Sequence, residues 1–332
     1  MSTTRGSTRS LTEGALIAAL AVLLVLMAQF LPLVGSVIIF LWPVPIIVII
    51  LRQGFRTGVL TVITAGLVLS AVVGVIQGSL VALTMGASGL VFGLGWLRQW
   101  RAGTMLAAAS VALLGATLVG LAASKYLLEI DLLALSLETM EQAINASISL
   151  YQRLGMEQQA DLLEEMLVMT REFMPVFLPA SLLMASVVHA YLNLVVAGSI
   201  LRRLDYTVPA LPAFGRWKLP FFTLIIYAAS AGALMLVVDG PLYRVVVNVY
   251  YFLNIVFIVQ GASLIYYFLG RWQLPRLVAV LMIAFTVMSL SIVYMFAGIA
   301  EVAFDIRHMV ERRDREKSKL GEKEKRRSSK KK

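Results

Sequence analysis

Three side chains within the apolar segment 174–201 are candidates for chemistry. Ser186, His189 and Asn193 follow one another at spacings of three and four, which places them on one face of a helix. Polar groups inside an apolar helix call for a functional explanation first, and a hydroxyl, an imidazole and a carboxamide in a row can hydrogen-bond a small polar ligand. The same row also serves to bond one helix to another. That plainer reading carries about twice the weight, because such bonds are common and each contributes only ~0.6 kcal/mol. Lys125 closes another apolar run four residues before Glu129. It supplies either an anion contact at a pocket mouth or a snorkelling ammonium with an i,i+4 partner. Glu301, Asp305 and His308 fall at i, i+4 and i+7. On an unbroken helix they would share a face able to hold a metal or a proton, although an amphipathic helix end balanced by Arg307 explains them more simply.

The sequence also excludes chemistry. It has no cysteine and two histidines, His189 and His308, so thiolate sites, disulfides and histidine-rich metal centres are ruled out. No nucleophile elbow, nucleotide loop or pair of catalytic carboxylates in a soluble domain occurs. No metal, no other cofactor and no enzymatic activity are expected.

The elements that must position these residues are membrane helices. The 332-residue chain is 59% hydrophobic and 14% charged, with a mean hydropathy of +0.85. Nine apolar segments are expected at 11–31, 34–51, 57–76, 79–97, 105–128, 174–201, 219–238, 242–269 and 277–300. Runs of ~20 apolar residues cross a bilayer as helices, which satisfy their own backbone groups. The fold class is therefore all-α, a polytopic transmembrane helical bundle. The first run, 15–31, is too long for the apolar part of a signal peptide and no small-x-small cleavage site follows, so it is read as a retained span.

Lys and Arg sort the loops. Arg5/Arg9, Arg52/Arg56, Arg98/Arg101, Arg202/Arg203 with Arg216/Lys218, and Arg271/Arg276 all occur after even numbers of spans. By the positive-inside tendency the N-terminus, 1–10, and these loops, including 205–218, are cytoplasmic. A ninth crossing would carry the basic tail, 305–332, outside. Either 277–300 is re-entrant or a hairpin around Met288-Ser289-Leu290-Ser291, or the tail is translocated; a cytoplasmic tail agrees better with its charge.

The net charge is +10. The tail, with thirteen basic and six acidic residues, contributes most of it, and it suits anionic lipid headgroups. Without interleaved aromatics it does not suit nucleic acid. The insert 129–172 carries nine acidic residues against Arg153 and Arg171. Apolar spacing in it suggests two amphipathic helices on the outer side, as a cap or as a lid.

Gly14 with Ala18, and Ala15 with Ala19, form small-residue pairs at four-residue spacing in the first span, where another helix can approach closely. Gly86, Gly89, Gly93 and Gly95 imply tight packing in the fourth.

The order of features from Glu13 to Leu204 resembles the substrate-capture subunits, or S components, of energy-coupling-factor transporters. Ala15-Leu16-Ile17-Ala18-Ala19 stands where those proteins carry an Ala-x-x-x-Ala motif. Pro43 and Pro45, Arg52-Gln53-Gly54-Phe55-Arg56-Thr57-Gly58, Gly89-Leu90-Val91-Phe92-Gly93 and Leu178-Pro179 follow in the matching order. The resemblance implies a six-helix core over 11–204, small-molecule capture, docking of the first helix on a membrane coupling subunit, and ATPases on separate chains.

The whole chain is more similar to the YybS-like family of predicted bacterial multi-pass membrane proteins. Arg203-Leu204, Pro209, Pro212, Trp217, Leu219-Pro220 and the close Gly298-Ile299-Ala300-Glu301-Val302-Ala303-Phe304-Asp305-Ile306-Arg307 carry that likeness. It departs from plain S components in the acidic insert and in the additional C-terminal helices, 219–304. Localisation in the bacterial inner membrane is implied. A membrane scaffold recruiting partners through its tail and insert is the alternative to transport.

Overall fold

A computed structural model describes residues 3–31, 35, 38–209 and 211–316, the first nine of these by backbone only. The stretch expected to form the most basic part of the tail, 317–332, lies outside the described residues. The chain divides into two compact units, 1–211 and 212–332. Both are helical, and no strand occurs among the described residues.

In the first unit α1 (Thr3–Phe30) leads through a 3-10 turn (Ile39–Leu41) to α2 (Pro43–Gln53), α3 (Phe55–Val73), α4 (Val75–Leu97), α5 (Ala102–Leu127), α6 (Leu132–Arg153) and α7 (Glu157–Arg203). α2 is the hub. Pro43 occupies its first position, where a missing N–H removes no helical bond, and Gly54, with φ 91°, ends it. Pro43 to Ile47, Ile49 and Ile50 are all buried. The glycines of α4 admit this hub: Gly89 faces Ile46, Gly93 faces Ile50, and Gly86 faces Val62 of α3. A carboxamide bond from Gln53 to Glu13 (2.7 Å) ties the start of α1 to the end of α2. The Arg52/Arg56 end of the unit thereby holds the α1 N-terminal side, and Gln29 and Gln77 lie at the opposite end.

The structure departs from nine uniform segments. Among the described residues six helices are long and apolar enough to cross a membrane, or seven if the bent pair Arg276–Ser289 and Ser291–Phe304 counts as one span. The run 34–51 yields only the short helix Ile39–Gln53, and 219–238 yields only Phe222–Leu234. The insert differs as well. Its second amphipathic helix and the sixth apolar segment are one 47-residue helix, α7, with Pro175 and Pro179 inside it. At 1.5 Å per residue α7 is about 70 Å long, more than twice the hydrocarbon thickness. Its first half therefore projects beyond the bilayer with α6 packed against it. Arg171 donates to both carboxylate oxygens of Glu141 (2.7 and 2.8 Å) across this hairpin.

Charge assistance from Arg171 holds the Glu141 carboxyl below its ordinary range. Lys125 and the N–H groups at the start of α6 do the same for Asp131. Both folded-state values are depressed, so their stabilisation is complete above the ordinary carboxylate range, near ~4, and is lost as pH falls through the lowered values. The α6–α7 hairpin is expected to splay in acid. Spin labels at Gln142→Cys and Val168→Cys, in a chain without native cysteine, would report a broadened distance below pH ~4. An unchanged distance would show that apolar packing alone holds the hairpin.

The second unit contains a 3-10 turn (Phe214–Arg216), α8 (Phe222–Leu234), α9 (Gly240–Arg271), α10 (Arg276–Ser289), α11 (Ser291–Phe304) and a helix at 306–316. Tyr227 of α8 stacks on Tyr250 of α9 (5.1 Å) and meets Phe257 edge-on (5.0 Å). α10 and α11 bend by 109° about Leu290. Met295 contacts Tyr227, whose hydroxyl Asn254 also reaches. Further along, Glu311 meets Tyr267 and Asp314 pairs with Arg271. α11 and the helix after it thus run alongside α9 to its Arg271 end, the end from which α10 starts. The bent pair leaves and returns at one end, as a re-entrant element does, and residues 305–316 share that end with Arg271 and Arg276.

Candidate functional site

The first unit holds a cavity of about 360 Å³. Its origin is the shortness of α2. Eleven residues span about 16 Å, so α2 cannot fill the bundle from end to end, and its opening Pro43 leaves a gap between the C-terminal end of α1 and the N-terminal end of α4. Trp42 forms one wall. Its indole N–H donates to the Ala21 carbonyl (2.6 Å), which fixes the ring and satisfies its only donor. Val25, Ala28, Ile39 and Val81 supply an apolar lining, and Gln29 and Gln77 bring one carboxamide each. Among the described residues no charged side chain lines it.

The row expected on α7 does not line this cavity. The His189 ring packs against Phe40 (5.2 Å), whose neighbour Ile39 lines the cavity. His189 Nε2 is buried without a hydrogen-bond partner among the described residues. Asn193 is fully buried; its amide donates weakly to Ser88 Oγ (3.4 Å), while its Oδ1 has no partner. Ser186 is spent locally on the Leu182 carbonyl (2.8 Å). Asn193 therefore makes the interhelical bond anticipated for this face, to α4. Lys125 has a separate place. It is exposed and pairs with Asp131 (2.7 Å) rather than with Glu129, because Glu129 adopts a positive φ of 57° in the turn and Asp131 then caps α6.

The small residues of α1 divide. Ala18 is buried among Trp42, Ile46 and Ala65, and Gly14 looks toward Thr57 and Thr61 of α3. Ala15 and Ala19 are exposed, beside the exposed Leu16, Leu20 and Leu23.

The carboxylate–imidazole face is not formed. α11 stops at Phe304, and Asp305 adopts the left-handed conformation (φ 51°), so the helical register connecting Glu301 to His308 is broken. His308 is exposed. Asp305 pairs with Lys218 (2.5 Å). The break turns Arg307 inward instead. Its guanidinium donates to the carbonyls of Gly215 (2.7 Å) and Trp217 (3.0 Å) and to Ser263 Oγ (3.0 Å). Its Nε lies 3.2 Å from Glu301 Oε1, close enough for charge attraction but not aligned as a hydrogen bond. Glu301 Oε2 accepts the Arg307 backbone N–H (3.3 Å), which caps the helix at 306–316 with a negative charge. Gln260 adds a bond to the Trp217 carbonyl (3.1 Å). Apart from Glu301 Oε1 and Arg307 Nε, which face each other without a hydrogen bond, these groups bond to one another, and the cluster reads as a structural latch. No cluster of three metal-ligating side chains occurs among the described residues.

Sequence reasoning passed over Gln29, Gln77 and Trp42. Gln77 lay between two expected segments; the turn sits at Gly74 instead (φ 97°), which puts Gln77 on the first turn of α4. Lone glutamines at the ends of apolar runs were the available signal.

The family described as predicted membrane protein (DUF2232) matches residues 19–302. The chain belongs to this family. The chain is also similar to the uncharacterized protein YybS of Bacillus subtilis (strain 168), at 25% identity over 323 residues, 91% of this chain and 99% of that one. No solved structure matches. As a DUF2232 protein with six long apolar helices, the chain is a multi-pass integral membrane protein.

Proposed function

We propose that this DUF2232 protein captures a small uncharged molecule in the cavity between α1, Trp42 and α4, as the binding subunit of a transport system in the bacterial inner membrane. The cavity carries the reading. Its volume lies in the range of small-molecule sites, and its make-up, mostly apolar with two exposed carboxamides in the lining, is compatible with them. The absence of any charged lining residue selects a neutral ligand, since an ion would be desolvated there without a counter-charge. Gln29 and Gln77 offer a donor and an acceptor apiece, and Trp42 offers a ring face. Basic loops on the cytoplasmic side would put the end of the unit that holds the cavity on the outer side, as capture requires. The exposed Ala15/Ala19 pair on α1 leaves a surface on which a coupling subunit of an energising complex can dock.

Native mass spectrometry of protein gently extracted from its own membrane tests both parts. A retained small molecule is expected in the parent protein and absent from Val81→Trp, whose indole fills the space, at an unchanged unfolding temperature. A molecule retained by Val81→Trp would place binding elsewhere. A coupling subunit co-purifying at fixed stoichiometry should be lost on Ala19→Leu, and an unchanged complex would remove α1 from that role.

A further inference from the structure

The projecting half of α7 carries an apolar stripe that nothing in the unit covers. Leu162, Met166, Met169 and Phe173 are 56%, 56%, 50% and 48% exposed. Their spacing of four, three and four is that of d, a, d and a positions in a heptad, so they form one seam. Ala160 and Leu167 are buried on the other side of the helix. Lipid does not cover the seam. Phe173 stands thirty residues before Arg203, about 45 Å along the helix, and even with a ~40° tilt it remains beyond a ~30 Å hydrocarbon layer. A leucine–methionine–phenylalanine seam in water is a recognition surface, and methionine adapts readily to a partner helix.

The flanks specify that partner. In the register set by the seam, Glu165 and Glu172 are g positions and Leu163 and Thr170 are e positions. Neither glutamate has an ion-pair partner among the described residues, whereas Arg171 is committed to Glu141. Flanking charges set partner choice in paired helices. A second copy fits poorly. Parallel pairing would set the glutamates against Leu163 and Thr170, and antiparallel pairing would set glutamate against glutamate.

We propose that this seam docks a helix of a different polypeptide, on the outer side of the membrane, with apolar a/d residues and Lys or Arg beside them. The seam is shorter than two heptads, so the partner is one held at the same membrane, where confinement raises its effective concentration.

Three designed two-heptad peptides test this against the full-length protein in nanodiscs. One has leucine at a and d with lysine at e and g, one has glutamate at e and g instead, and one keeps lysine but has serine at a and d. The leucine–lysine peptide is expected to bind and the other two are not. Met166→Glu with Met169→Glu should weaken binding by about tenfold or more, as loss of interface anchors does. Glu165→Lys with Glu172→Lys should transfer binding to the leucine–glutamate peptide. Four results would each overturn the proposal: no binding of the leucine–lysine peptide, equal binding of the serine-core peptide, a preference unchanged by charge reversal, or disulfide cross-linking of two copies through Met169→Cys.

Discussion

Replacing Arg307 with alanine is expected to destabilise the second unit by about 3–5 kcal/mol, the typical effect of removing one partner of a buried ion pair. Arg307 is 8% exposed and Glu301 1%. The substitution leaves the Glu301 charge buried without its partner, and it strips a donor from Ser263 and from two carbonyls, Gly215 and Trp217. Those carbonyls belong to the segment that enters α8, so the loss also loosens that segment from α9. Thermal unfolding of the purified protein reads the first effect, and thiol labelling at Thr223→Cys, buried at the start of α8, reads the second. Glu301→Gln should cost less, because the guanidinium keeps its three neutral acceptors. The double variant Glu301→Leu with Arg307→Met should recover much of the loss, since an apolar pair of similar volume carries no desolvation penalty. If Arg307→Ala unfolds at the parent temperature with Thr223→Cys still protected, the latch contributes nothing to stability.

That latch shows what a sequence can and cannot disclose. The membrane class was plain, because apolar runs and the sorting of Lys and Arg depend only on local composition. The bend inside 277–300 was also marked, by Ser289 and Ser291 around Leu290, and α10 and α11 break there by 109°. Glu301 stood out as a carboxylate near an apolar helix with Arg307 to balance it, but the carbonyls of Gly215 and Trp217 and the Ser263 hydroxyl that hold the guanidinium did not. A helical wheel assigns His308 to its face, and one left-handed residue, Asp305, substitutes Arg307. No periodicity predicts a single positive φ at a residue other than glycine. The cavity was hidden for a related reason. It depends on α2 being short, and the apolar run at 34–51 looked long enough to be a span. The long helix α7 was concealed by Pro175 and Pro179, which normally mark a helix end. They fall where the helix leaves the hydrocarbon, and there water can satisfy the carbonyls that proline leaves free. On α1 the small residues were recognised as a group, but only the surrounding bundle decides that Ala18 faces inward and Ala19 outward.

The other large effect is expected at the crossing of α9 and α11. A Cβ at Gly261 would run into the Tyr294 carbonyl, and one at Gly298 into the Phe257 carbonyl. In each case the obstacle is backbone, which cannot rotate aside as a side chain can, so the helices themselves must separate. Gly298→Ala should then destabilise by about 1–3 kcal/mol or more, the range for forced overpacking, although alanine is the better helix former by roughly 1 kcal/mol. Gly232 of α8 supplies the control. A Cβ there meets nothing within 4 Å, so Gly232→Ala should be neutral or stabilising by up to about 1 kcal/mol. Spin labels at Val259→Cys and Phe296→Cys would show the cause directly, as a longer distance in Gly298→Ala than in the parent. The re-entrant pair has little else to hold it in place: α10 contributes a single buried side chain, Ala279, and α11 rests on α9 through this crossing. Separation there would also shift Glu301, one turn further along α11, away from Arg307. The two losses should therefore be less than additive when Gly298→Ala is combined with Arg307→Ala, since residues in contact share their interaction energy. Full additivity would mean that the crossing and the latch hold α11 independently.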